Sequence, residues 1–332
     1  MLNDGIGEGE SKIHVQIIDK LSGETVYAGI FVFTLLALEI LFIIIIIITG
    51  YLASKRLLKP IYVMTETVKN VTINQLDARL DVRGSQNEFR DLAKTFNSML
   101  DRLQSSYEVQ NRFVSDASHE LRTPISVIQG YANLLDRWGK DDRTVLEESI
   151  AAIKTEAEDM KNLIEKLLFL ARGDKDTQKI EKTDFNTKEL LDEIIKETKL
   201  IDDKHEVVSV RNEGMILNAD RSLLKEVIRI FVDNSVKFTP EGGKIELQCY
   251  SRDNITFFTV EDSGMGISKE DLPNIFDRFY RADKSRTKNT GGTGLGMAIA
   301  KWIVLKHGGD IKVQSEINVG TKIVIELPNY KK

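Results

Sequence analysis

The sequence predicts a multidomain chain with one transmembrane helix, dimeric four-helix-bundle modules and a C-terminal α/β sandwich. Three observations predict it. An apolar run near the start is long enough to cross a bilayer. Two later stretches repeat apolar residues at threes and fours, yet are too thin to enclose a core alone. The segment 176–332 mixes helical and strand periods.

The apolar run comes first. From Thr25 to Ser54 the only charge is Glu39, and Ile43 to Ile48 are six consecutive isoleucines. As a helix, Ala28 to Ile48 is roughly 32 Å long, the thickness of a hydrocarbon core. A buried helix of a soluble protein is the competing reading, and this length without charge opposes it. A signal peptide is opposed too, because neither a basic leader nor a small-residue cleavage site frames the run. Lys55, Arg56 and Lys59 follow at once. The positive-inside rule then places residues 1–27 outside, 28–52 in the membrane and the rest in the cytoplasm. Residues 1–27 are too few for a core. Sensing then falls to the membrane segment itself, or to an upstream part absent from the chain. Glu39 is costly at mid-span. It is a protonated helix contact, a step in a signal path, or a tolerated neutral acid at a dimer seam.

Composition removes other classes. The formal net charge of −5 speaks against a nucleic-acid partner. Cys249 is the single cysteine, so no disulfide forms within the chain. His14, His119, His205 and His307 are too far apart to pair at metal-ligand spacing.

Residues 53–105 read as two short amphipathic helices around a connector. Ile61, Met64, Val68 and Val71 mark the first helix, and Phe89, Leu92, Phe96, Met99, Leu100 and Leu103 the second. Residues 74–80 lead to Gly84 between them. Residues 106–175 form a helical hairpin. Val114, Ala117, Leu121, Ile125 and Ile128 stripe one arm, and Ile150, Ile153, Ala157, Met160, Ile164, Leu167 and Leu170 the other. Residues 138–142 carry the stop between them, and Gly173 to Asp176 read as a polar linker. Two copies of the hairpin complete a four-helix bundle, so the chain is expected to be a homodimer.

In the C-terminal segment, helices are expected near 187–200, 220–238 and 293–307. Strands are expected near 244–250, 254–261, 310–315 and 321–327. These elements predict a mixed sheet with helices on one face.

Two constellations carry chemistry. The first is Ser118-His119-Glu120-Leu121-Arg122-Thr123-Pro124. His119 lies about 200° around the helix from both Ala117 and Leu121, off the apolar stripe and toward solvent. A neutral imidazole is a nucleophile near pH 7. Glu120 is placed to accept the other ring proton, or is an ordinary solvated charge. Pro124 removes one backbone hydrogen bond a turn later, which predicts a bend.

The second constellation is a set of glycine-bearing clusters. Asp262-Ser263-Gly264-Met265-Gly266 ends a strand, and Gly291-Gly292-Thr293-Gly294-Leu295-Gly296 opens a helix. Glycines admit a ligand close to the backbone, and helix N-termini suit phosphate oxygens. Asp262 is suited to accept from an exocyclic amine such as that of adenine. The spacing fits neither a P-loop nor a dinucleotide fold. On the helix before them, Asn234 and Lys237 share an edge, one an oxygen donor for Mg²⁺ and the other a point charge for phosphate.

The string at 118–124 resembles the H-box of bacterial sensor histidine kinases. Asp233 to Phe238, Asp262 to Gly266, Phe276 to Arg281 and Gly292 to Gly296 resemble the N, G1, F and G2 boxes of the same family, whose ATP-binding domain is related to those of gyrase and MutL. Residues 53–105, with Pro60 near the start and Asn87-Glu88-Phe89 opening the second helix, resemble a HAMP relay. The resemblance covers residues 53 to 330. It implies that His119 is phosphorylated from Mg-ATP, that Glu120 is its acid/base partner and that Thr123 orients water in a phosphatase reaction. It further implies Asn234 on Mg²⁺, Lys237 and Arg281 on phosphate, and Asp262 on the adenine amine. The backbone at Gly264, Gly266, Gly292, Gly294, Leu295 and Gly296 lines the nucleotide, under a lid at 282–292. Phe276 and Phe279 dock the lid or the hairpin, or simply pack in the core.

The expected activity is therefore autophosphorylation of His119 and transfer to an aspartate of a response-regulator receiver domain, at the cell membrane. One position departs from the family. Where a second asparagine is frequent, four residues before Asn234, this chain has Ile230. Ile230 keeps open a protein acting mainly as a phosphatase; a catalytically silent receptor that binds ATP as a structural ligand is a separate alternative, opposed by the intact string from His119 to Thr123.

Overall fold

The computed structural model describes residues 22–70, 77–80, 87–139, 142–175, 177–282 and 292–329. His14, residues 74–76, Gly84, residues 140 and 141, Asp176, and 283–291 of the expected lid with Gly291 lie outside the described residues. The chain divides into two compact units between Glu108 and Val109.

In the first unit, α1 (Ser22–Asn70) is unbroken from the apolar run through Pro60 into the first helix of the relay segment. The expectation of a separate short helix after residue 52 is thus corrected. A proline costs a helix one hydrogen bond, and no glycine or second proline stands near Pro60 to end it. Among the described residues, this is the one helix long and apolar enough to cross a membrane. Its isoleucines, Ile43 to Ile48, are all exposed. Met64 of α1, Leu80 of the connector and Ala93 of α2 (Asn87–Trp138) form a small buried cluster beside Phe89 and Phe96. Asn97 secures the connector. Its amide nitrogen donates to the Leu80 carbonyl (3.0 Å), and its oxygen accepts from the Leu80 N–H (2.9 Å).

The second correction concerns α2. The second relay helix and the first hairpin arm are one helix, since residues 104–112 contain neither glycine nor proline to stop it. α3 (Arg143–Asp174) returns after an N-cap in which the Asp142 carboxylate accepts from the Thr144 and Val145 N–H groups. The supposed linker at Gly173 and Asp174 is the last turn of α3. Gly173 is buried there because the Trp302 indole lies against it. A Cβ at that position would stand 2.7 Å from Nε1.

The C-terminal part contains β1 (Thr183–Asn186), α4 (Thr187–Ile201), β2 (Glu206–Asn212), β3 (Ile216–Ala219) and α5 (Arg221–Phe238). It continues with β4 (Lys244–Arg252), β5 (Ile255–Asp262), α6 (Gly296–Lys306), β6 (Asp310–Glu316) and β7 (Gly320–Pro328). The main sheet runs β2-β4-β5-β7-β6, with β2 parallel to β4 and the other pairs antiparallel. One face is buried. Ile245, Leu247 and Cys249 of β4, Phe258 and Val260 of β5, and Ile323, Ile325 and Leu327 of β7 meet Ile194 of α4, Phe231 of α5 and Ile299 and Ile303 of α6. This is the expected mixed sheet with helices on one face. β1, β2 and β3 were not expected. β1 and β3 are four residues each and pair only with one another, and β2 is an edge strand whose residues are mostly not buried.

Candidate functional site

The site is built on α5. Asp220 caps its start, accepting from the N–H groups of Ser222 and Leu223, and Thr239 ends it. The helix buries Leu224, Val227, Ile228 and Phe231 against the sheet. That anchoring sets Asn234 and Lys237 on an edge, as their spacing predicts. The Asn234 amide nitrogen lies 3.4 Å from Met297 Sδ, which leaves its carbonyl oxygen as an acceptor.

Asp262 ends β5 beside α5. It accepts from the Gly264 N–H (2.9 Å), the Ser235 hydroxyl (2.9 Å) and the Thr321 N–H (3.2 Å). A carboxylate has about four lone-pair sites, so one remains for a further donor. Burial pushes its pKa up, against those hydrogen bonds. Gly266 has φ +70, and a Cβ there would collide with the Glu316 carbonyl, so only glycine lets the chain pass.

The second glycine cluster precedes α6 rather than opening it. Gly292 has φ +134 and Gly294 φ +68, Leu295 is the N-cap, and the helix begins at Gly296. The expected helical stretch from 293 is corrected on this account: residues in these conformations do not continue a right-handed helix. Gly294 accepts a hydrogen bond from the Phe279 N–H (2.9 Å), and Phe279 itself has φ +62. A bulky residue in that region is strained and is held there by its neighbours.

Two cations converge on this loop. Lys237 Nζ lies so close to Gly292 that a Cβ there would stand 2.8 Å from it. Arg281 donates to the Gly292 carbonyl. Burial, then the charge of Arg281, lowers the Lys237 pKa. Two like charges held together on an open backbone form a site for a polyanion. Arg281 also pairs with Glu120 of α2 at 3.2 Å. The cationic end of the glycine site therefore touches the residue next to His119.

His119 is exposed, and so is Thr123 one turn further on. The Glu120 carboxylate is turned toward Arg281. α2 remains helical through Pro124. Among the described residues no cluster of histidine, cysteine, aspartate and glutamate is able to hold a metal by itself. A Mg²⁺ here fits only as a companion of phosphate oxygens, with Asn234 as protein ligand, which is the usual habit of that ion. Ile230 adds no donor. It packs toward the start of α6, 3.1 Å from the place a Cβ on Gly296 would take.

Sequence reasoning missed the contacts that join the hairpin to the sandwich. Arg278 holds Asp174 through two hydrogen bonds (2.9 and 2.6 Å). Its guanidinium lies 5.2 Å from the centre of the Phe113 ring, and that ring is 6.0 Å from Phe279. Trp302 meets Phe169 edge-on at 5.2 Å. Of the readings for Phe279, two are met at once: it packs against the core of the sandwich and also touches Phe113 of the hairpin. The cleft between these elements, about 350 Å³, is lined by Phe113, Phe276, Phe279, Lys301 and Trp302, and it is distinct from the glycine site.

Comparison with known proteins agrees with this architecture. Residues 52–105 match the HAMP domain and 109–176 the His Kinase A (phospho-acceptor) domain. Residues 219–331 match the histidine kinase-, DNA gyrase B- and HSP90-like ATPase family. The chain is 36% identical over 83% of its length to the signal transduction histidine-protein kinase ArlS of Staphylococcus haemolyticus, covering 61% of that protein. It is 34% identical over 84% of its length to the sensor histidine kinase YkoH of Bacillus subtilis, again covering 61%. The chain thus spans about three fifths of the curated relatives it matches. Among solved structures, the Acinetobacter baumannii histidine kinase AdeS aligns with a TM-score of 0.52 at 22% identity, over 64% of this chain and 98% of that one. Histidine kinase ThkA in complex with response regulator protein TrrA aligns at 0.54 and 23%, over 68% of this chain and 64% of that one. At these identities the likeness is one of fold.

Proposed function

This chain belongs to the bacterial sensor histidine kinases, and from that premise we propose that it phosphorylates His119 from Mg-ATP and passes the group to an aspartate of a response-regulator receiver domain. The observation that carries the proposal is Arg281, bonded at once to the Gly292 carbonyl and to Glu120, the neighbour of His119. It links the polyanion site to the phosphoacceptor helix.

The residues divide the work. Asp262 offers its remaining lone pair to the adenine amine. Gly264 and Gly266 admit the base, and the backbone from Gly292 through Leu295 to Gly296 admits the phosphates. Lys237 and Arg281 balance phosphate charge, and Asn234 completes the coordination of Mg²⁺. Bound Mg-ATP supplies the phosphoryl group. His119 is the nucleophile, and its exposure leaves it open to a receiver domain. Glu120, when released from Arg281, takes the ring proton, and Thr123 orients water for dephosphorylation. Most of the acceleration in such a site is positioning and charge balance. The exposed apolar stripe of the hairpin, Val114, Ile125, Ile150 and Ile164 among it, supports a homodimer. α1 supports a single pass through the cell membrane, with the catalytic parts in the cytoplasm.

The test is the full chain in vesicles with γ-labelled ATP. Acid-labile label is expected, absent in His119→Gln and strongly reduced in Asn234→Ala. No label at all, or label that survives His119→Gln, rejects the proposal. Ile230 supports a second reading, in which dephosphorylation of the partner dominates. In that case Ile230→Asn raises the steady-state label; an unchanged label removes the reading.

A further inference from the structure

A homodimer holds two ATP-binding sites and two copies of His119, and chemistry alone does not say which site serves which histidine. We propose that each site phosphorylates the His119 of its own chain, with Asp174 and Arg278 as the positioning pair. The inference rests on the kinase reading above and adds the direction of transfer.

The geometry points to this pairing in four ways. The sandwich is fastened to the hairpin of the same chain by the two-bonded Asp174–Arg278 ion pair, a geometry that fixes orientation as well as distance. Next to that pair, Arg278 and Phe279 close on Phe113 of α2, while Trp302 closes on Phe169 and Gly173 of α3. Leu163 and Leu170 of α3 are buried in the same apolar core as α5 and α6. The contact therefore has a buried apolar part beside the cleft and does not depend on charge alone.

The fourth observation concerns direction around α2. The cationic end of the nucleotide site reaches Glu120 of its own chain. From Glu120 to His119 is one residue, about 1.5 Å along the axis and about 100° around it. Of the apolar residues that α2 leaves uncovered, Val114 and Ile125 point about 120–140° away from His119, whereas Val109, Leu134 and Trp138 lie within about 60–100° of it. The acceptor is thus placed by its neighbour Glu120, which the ATP-binding domain of the same chain already touches.

Two mixed dimers decide the matter, each made by co-expressing differently tagged full-length chains and purifying through both tags. The first pairs His119→Gln with Asn234→Ala. It is expected to stay essentially unlabelled by γ-labelled ATP, because neither chain has both parts. The second pairs wild type with the double variant His119→Gln, Asn234→Ala, and is expected to carry about half of the wild-type label. The reverse pattern, label in the first dimer and none in the second, overturns the proposal. A wild-type dimer without label instead strikes the kinase reading itself. The positioning pair has its own readout. Asp174→Arg or Arg278→Asp lowers the label, and the two reversals together restore it when both are in one chain. Restoration only when they are in different chains, or label untouched by either single reversal, overturns the assigned role.

Discussion

Asp262 shows how much one side chain does in this site. It ties β5 to α5 through Ser235 and to β7 through the Thr321 N–H, and under the proposed function its remaining lone pair takes the adenine amine. Asp262→Asn replaces one acceptor oxygen with a donor that faces other donors. A loss of about tenfold or more in affinity for a fluorescent ATP analogue is expected, since an unmet hydrogen bond costs about 1–3 kcal/mol. Unchanged affinity would remove Asp262 from the adenine contact. Gly266→Ala forces a side chain into a left-handed conformation and against the Glu316 carbonyl. It is expected to lower the urea midpoint as well as nucleotide binding. Both residues were legible because they stand in recognisable strings. The roles of Asp174, Arg278 and Trp302 were not. Arg278 stands in a recognisable string and the other two in none, but all three acquire these roles only by meeting one another's elements, Arg278 with Asp174 and Phe113, and Trp302 with Phe169 and Gly173.

At the scale of elements, the ends of α5 decide how firmly Asn234 and Lys237 are held. Asp220 accepts from three backbone N–H groups and the Ser222 hydroxyl. Its own N–H is taken by Nε2 of the buried His307, which follows α6. Asp220→Ala leaves several of these donors unmet and is expected to cost about 2 kcal/mol or more in a urea titration. The other end of α5 responds to pH. His205 is bonded by the Asp202 carboxylate (2.7 Å) and by the Thr239 carbonyl (3.0 Å), where the helix stops. Burial lowers its pKa, but the Thr239 carbonyl and Asp202 outweigh it, and the net shift is upward from 6.5. A group whose pKa rises on folding stabilises the fold most below its unfolded value. That contribution fades as pH rises through the folded value. His205→Gln should therefore destabilise the protein clearly near pH 6 and much less near pH 9. Equal losses at both would show that the charge is not involved.

For the whole molecule, the apolar residues left exposed on α2 and α3 matter most. Val114, Ile125, Ile150, Ile164 and Leu168 are between 42% and 57% exposed in one chain, on helices that otherwise follow a regular amphipathic pattern. A second copy removes that surface from water. Val114→Asp is expected to leave the urea midpoint of the isolated monomer nearly unchanged and to shift the full chain toward monomer in analytical ultracentrifugation. Retention of the dimer would place the seam elsewhere. By contrast Cys249 faces the core, and burial pushes its thiol up to about 11. Slow reaction with thiol reagents until the protein unfolds is the corresponding expectation.

The sequence by itself determined the long apolar helix, the amphipathic arms, four of the five strands of the central sheet and the strings that resemble the nucleotide and phosphoacceptor boxes. Each of these is a local property: an apolar length, a period, or a short string whose residues stay neighbours after folding. Tertiary structure alone decided that Gly173 is buried against Trp302, that β1, β2 and β3 form at all, and that Arg281 rests on Glu120. Those outcomes depend on contacts between residues far apart in the chain, from 30 in the Asn186–Ile216 pair to 161 in the Glu120–Arg281 pair. Such contacts carry no local signature, because burial and charge pairing act only once the fold has brought the partners together.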